Sequence, residues 1–134
     1  MKIKALFICL CFASALLAQE RSAAVEQRVS ELTQQYQLNE EQVAELYVIQ
    51  EREARNLNEI AVLQQSNYRE FLQRRATIRR HSAGSLRRML TTEQRRIQDQ
   101  ERTELRVANS EFIKQMQAEG KPKEEIELLL LERS

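Results

Sequence analysis

Residues 38–43 read Leu38-Asn39-Glu40-Glu41-Gln42-Val43, and residues 90–95 read Leu90-Thr91-Thr92-Glu93-Gln94-Arg95. Both stretches are helix starts. Asn and Thr are N-capping types: their side-chain oxygen accepts a hydrogen bond from one of the backbone N–H groups that the first turn of a helix leaves unpaired. A Gln at the third helical position returns the bond to the cap residue, which completes a capping box. An apolar residue on each side of the box can close as a hydrophobic staple, as Leu38 and Val43 can. Arg95 stands at the equivalent place in the second stretch, where the staple is poorer.

Outward from these starts the chain is periodic. Upstream, Val25, Val29, Leu32 and Tyr36 recur at steps of four, three and four, the stripe of a short helix packing on one face. Downstream of Leu38, the apolar positions Val43, Leu46, Ile49, Leu57, Ile60, Leu63, Tyr68, Phe71, Leu72 and Ile78 predict one helix from residue 40 to about 80, roughly 60 Å long at 1.5 Å per residue. The cluster His81, Ser82, Ala83, Gly84 predicts a turn, with Leu86 to Leu90 as one further turn of helix. A third long helix follows Thr91, with Ile97, Leu105, Ala108, Phe112 and Met116 as its apolar stripe. Gly120 and Pro122 end it in the usual order, and a short last helix carries Ile126 and the run Leu128 to Leu131. With 2 Gly, 1 Pro and 5% aromatic residues there is little turn or core material for a sandwich or barrel, so the fold class is all-α. The expected arrangement is a helical hairpin of long antiparallel helices.

The N-terminus reads separately. Lys2 and Lys4 precede an apolar stretch from Ala5 to Leu17 in which Ser14 is the only polar residue, the pattern of a secretory signal peptide. The run is too short to span a bilayer comfortably. Residues 1–18 are therefore assigned to the signal, with cleavage after Ala18 favoured over cleavage after Ala15, and residues 19–134 to a single helical domain. Cys9 and Cys11 both fall inside the signal, so the expected mature chain has no disulfide, thiolate nucleophile or cysteine metal site.

Charge is near balance overall, with 21 basic and 20 acidic residues, but it is segregated. Residues 69–96 hold 9 Arg against Glu70 and Glu93, a local charge of +7 between two acidic flanks. Arg74, Arg75, Arg79, Arg80, Arg87, Arg88, Arg95 and Arg96 come as adjacent pairs. Two readings stand side by side: internal pairing with the acidic flanks when the helices fold back, or a free surface that meets a partner. On the second reading Arg74, Arg75, Arg79, Arg80, Arg87 and Arg88, with Phe71 and Ile78 among them, form a client-binding face. Arginine suits that role because its charged head and apolar stem serve acidic and apolar segments alike.

The Leu90-Thr91-Thr92-Glu93-Gln94 stretch also matches the LTxxQ motif, and Leu38-Asn39-Glu40-Glu41-Gln42 matches it with Asn for Thr. Two such motifs, one opening each long helix behind a signal peptide, resemble the Spy/CpxP family of periplasmic proteins over essentially the whole mature chain. The resemblance implies a cradle-shaped, antiparallel, all-helical homodimer that acts as an ATP-independent chaperone or as an envelope-stress regulator. The residues themselves give Leu38, Asn39, Gln42, Leu90, Thr91 and Gln94 a helix-capping role that need not touch any client.

Other functions are disfavoured. No Gly-rich phosphate loop is present, and a nucleophile–base pair would have to be built on His81 with no serine in a recognisable setting, so an enzyme is not expected. With one His and, after the signal, only Met89 and Met116 as sulfur ligands, neither a metal nor any other cofactor is expected. Nucleic-acid binding through the arginines is compatible with their charge but not with export. The expected protein is a periplasmic homodimer without a stable membrane anchor. It binds unfolded or misfolded clients in envelope stress, or alternatively the periplasmic domain of a sensor protein.

Overall fold

A computed structural model describes residues 22–134, which form six α-helices: α1 (Ala23–Tyr36), α2 (Glu40–Ile60), α3 (Leu63–Ser66), α4 (Tyr68–Met89), α5 (Thr92–Ala118) and α6 (Lys123–Arg133). The protein is all-α. The expected signal peptide lies outside the described residues.

Both capping boxes form as their residue types require. Asn39 accepts from the Gln42 N–H at 2.9 Å while the Gln42 side chain accepts from the Asn39 N–H at 3.1 Å. Thr91 and Gln94 repeat the exchange at 3.3 and 2.9 Å. The leucine ahead of each cap turns inward, Leu90 into the core and Leu38 against it together with its staple partner Val43. At the poorer staple, Arg95 instead donates to the carbonyl oxygens of Arg87 and Arg88 at 3.0 and 3.4 Å, supplying partners to the last turn of α4. The ends are as well defined as the starts. Gly120 has φ 75°, the Lys121 N–H reaches the Met116 carbonyl at 3.1 Å and the Gly120 N–H reaches that of Gln117 at 3.0 Å, a Schellman ending. At the end of α1 the left-handed position is held by Gln37, with φ 52°.

The middle of the chain departs from the periodicity. One helix from 40 to about 80 was expected, but α2 stops at Ile60, α3 is a single turn, and Asn67 caps a new helix by accepting from the Glu70 N–H at 3.2 Å. Asn67-x-x-Glu70 is itself a capping pattern, and here it outweighs the apolar stripe running across it. The turn expected at His81–Gly84 is absent, because α4 runs through it to Met89. A lone interior Gly costs a helix only about 1 kcal/mol. Packing outweighs that cost, since Ser82 and Ser85 are buried and Ser85 accepts from Arg52 of α2 at 3.0 Å.

The main core is one cluster of Val25, Val29, Leu32 and Tyr36 from α1, Leu46 from α2, and Leu86 and Leu90 from the end of α4. α2 packs chiefly on α4 and on α1, while α6 lies against both α4 and α5. Helix α5, about 40 Å long, is held differently from the others. Its buried residues are Gln98 near one end and Met116 near the other, and the intervening residues 99–111 contribute none. Ile97, Leu105 and Ala108 were expected to be core positions; within this chain they face solvent, Leu105 at 57% exposure. The stripe exists, but nothing among the described residues covers its middle.

Candidate functional site

The two motifs meet. Gln42 donates from Nε2 to Gln94 Oε1 at 2.8 Å and to the Met89 carbonyl at 3.0 Å, and Gln94 Nε2 donates back to Gln42 Oε1 at 3.1 Å and to the Gln37 carbonyl at 3.3 Å. Each amide oxygen also receives the N–H of its own cap residue. The two side chains thus form a paired amide in which every donor and acceptor site is used, the condition under which a buried polar network specifies geometry rather than weakening it. The pair fixes where α5 leaves the α1–α2–α4 packing. A second tether follows two turns on along α5: the Tyr36 hydroxyl donates to Glu101 at 2.6 Å, and Gln35 bonds the same carboxylate. Burial, and then the Glu101 carboxylate, push the Tyr36 phenol well above its ordinary range, so it remains a neutral donor.

Beyond these tethers, α1, α2, α4 and α5 enclose a groove of about 820 Å³. Its apolar lining includes Val25, Leu32, Leu57, Leu86 and Leu105, and its charged lining is Arg28, Arg79 and Arg102 with Glu53 and Glu101. The α5 contribution, Gln98, Glu101, Arg102 and Leu105, is one helical face at spacings of three, one and three. Arg79 has its guanidinium pKa lowered, first by burial and then by Arg75, with Arg28 acting in the same direction and Glu53 opposing.

Of the residues expected to form a client-binding face, Arg79 alone lines this groove. Arg74 and Ile78 lie on a shallower one of about 450 Å³ between α2 and α4. The other arginines are largely engaged within the chain. Arg74 pairs with Glu70 at 2.6 Å, Arg87 with Asp99 at 2.7 Å, and Arg88 donates to Ser85 at 3.0 Å. Arg75 donates to the carbonyls of Leu131 and Glu132 at 2.9 and 3.0 Å and stands 5.8 Å from the centre of the Phe71 ring, while Arg79 donates to the carbonyl of Ser134. Arg80 is exposed. The acidic flanks therefore supply only part of the pairing, and backbone carbonyls of α6 supply much of the rest.

Arg28, Leu57, Glu101 and Arg102 were missed by sequence reasoning. The 98-101-102-105 spacing on α5 was the available signal, but its mixture of Gln, Glu, Arg and Leu resembles an ordinary solvated face. Among the described residues no cluster of His, Cys, Asp and Glu could hold a metal ion, and no helix is long and apolar enough to cross a membrane. Set against protein-family models, curated proteins and solved structures, the chain matches none.

Proposed function

We propose that this protein binds unfolded clients without ATP in the periplasm, in the manner of the Spy/CpxP proteins that its two motifs resemble. The observation that carries the reading is the mixed lining of the groove, in which Arg28, Arg79 and Arg102 stand among Val25, Leu57, Leu86 and Leu105. Such a surface offers an unfolded chain apolar contact and charge together, with no feature selecting one sequence. Exposed charge speeds encounter over the roughly 8 Å screening length of physiological salt, and the apolar side chains hold what arrives. The motif residues act one step away, by fixing the angle at which α5 crosses the groove.

The active form is a homodimer of cradle-like shape, exported through the signal at residues 1–18. Support for the second subunit is the apolar surface left on α2 and α5, where Val48 is 60% and Val107 54% exposed and Ile97 is exposed as well. Light scattering at micromolar concentration should give an elongated dimer, and a compact monomer would contradict it.

The decisive test is suppression of aggregation of a chemically unfolded acidic client. Leu105→Ser and Arg102→Gln lie in the groove on exposed positions, so each should reduce protection several-fold while circular dichroism stays unchanged. Protection equal to that of the parent would remove the groove from the mechanism. A pull-down from periplasm that returns one strong partner in place of many weak ones would indicate a dedicated regulator.

A further inference from the structure

The sequence Lys123-Glu124-Glu125-Ile126-Glu127-Leu128-Leu129-Leu130-Leu131-Glu132-Arg133 makes α6 an acidic, leucine-rich helix, and the manner of its attachment is unusual. Its grip on α4 runs largely through its own backbone: Arg69 donates to the Glu124 carbonyl at 3.2 Å, Arg75 to those of Leu131 and Glu132, and Arg79 to that of Ser134. Desolvation and then the Glu132 carboxylate raise the pKa of the Tyr68 phenol, which places that carboxylate beside it. The last carbonyls of a helix are short of intrahelical partners and carry partial negative charge, so Arg75 and Arg79 meet the C-terminal turn through groups that any helix presents, the Leu131 carbonyl accepting from Ser134 as well, while Arg69 holds the first turn. Ile126 is the only buried residue of α6, and Leu128 to Leu131 are half-buried. The fit is also incomplete, since Arg75 Nε is buried without a hydrogen-bond partner. Arg133 also stands 4.3 Å from the centre of the Phe112 ring of α5, and a terminal helix held by polar contacts, one buried side chain and four half-buried leucines belongs to the part of a structure that opens below global unfolding.

We propose that the face of α4 bearing Tyr68, Arg75 and Arg79 is a receptor seat for the C-terminal turn of an acidic, leucine-rich helix. α6 fills this seat in cis as a displaceable strap, and a helix of the same chemistry on another protein fills it in trans. The inference shares Arg79 with the groove but does not require client capture there. When α6 leaves, the far end of α5 loses its link to α4, and Arg75 and Arg79 become available.

The test uses the full chain and a fluorescein-labelled, amidated peptide with the sequence of residues 123–134. Ile126→Asp removes the buried anchor of the strap and leaves the seat intact. It should bind the peptide at least ten-fold more tightly than the parent, and adding Arg75→Gln with Arg79→Gln should abolish that gain. In parallel, hydrogen exchange should rise across residues 123–133 in Ile126→Asp while α2 and α4 keep their protection. Equal binding by parent and variant, no binding by either, a gain that survives loss of the two arginines, or loss of protection across α2 and α4 would each overturn the proposal.

Discussion

Removing one glutamine of the paired amide tests whether the two motifs act as a unit. Gln42→Ala leaves the Asn39 N–H, the Met89 carbonyl and half of the Gln94 amide without their partners, four hydrogen bonds in all. A typical intramolecular hydrogen bond contributes a net 0.5–1.5 kcal/mol or so, and a buried group left unpaired costs about 1–3 kcal/mol. Gln42 is only 8% exposed, but Asn39 can recover water, so the expected loss is about 2–4 kcal/mol. Gln94→Ala should cost somewhat less, about 1.5–3 kcal/mol, because Gln94 is half-buried. Two of the bonds are shared between these side chains. The double variant should therefore lose less than the sum of the single losses, by about 1–3 kcal/mol. Urea denaturation at constant m-value measures all four corners of the cycle. If the single losses add to within about 0.5 kcal/mol, the limit expected of independent sites, the glutamines cap their own helices separately and the joint between the motifs is not an energetic unit.

Gly84→Ala should stabilise the protein by about 0.5–1 kcal/mol, because α4 is helical there and a Cβ would meet nothing within 4 Å; an unchanged or lower Tm would contradict the helical reading of 81–84. Gln37→Gly should also raise the Tm, by relieving a left-handed conformation that costs a non-glycine residue about 1–2 kcal/mol; an unchanged or lower Tm would show that the Gln37 side-chain bond to the Gln34 carbonyl outweighs the strain. The Arg87 hydrogen bond holds the Asp99 carboxyl below its ordinary value, so its contribution is present above the usual aspartate range and lost as pH falls through and below it; Asp99→Asn should flatten the acid limb of a stability–pH curve, and more so at low salt. Client capture rates should fall as salt rises while the final extent of protection persists, and a rate insensitive to salt would leave the arginines without a part in encounter.

What was legible in the sequence was local. Asn39 with Gln42, Thr91 with Gln94, and Gly120 followed by Pro122 each fix a helix boundary within a few residues of themselves, and the structure places those boundaries where the residues put them. Asn67 with Glu70 carried the same kind of signal and was overlooked because Leu63, Tyr68 and Phe71 continue an apolar rhythm across it. Gly84 misled in the opposite direction, since burial of Ser82 and Ser85 against neighbouring helices is not visible along the chain. The arginines were hardest. Whether Arg75 meets solvent or the end of α6 depends on a return of 56 residues, and nothing near Arg75 encodes it. The groove is further still from the sequence, because four helices contribute to it and none shows it alone.

Helix α5 is fastened near its two ends, with its last groove contact at Leu105 and its next buried side chain at Met116, which makes the length between them an adjustable dimension. Adding one residue in the stretch 106–111 would turn the far end by about 100° and swing Phe112 away from Arg133 of α6. Seven residues would turn it by only about 20° short of two full turns, so both attachments could persist while the span grew by about 10 Å. Chains of this architecture can therefore vary their reach in steps of a heptad, with the amide joint at one end and the strap at the other unchanged.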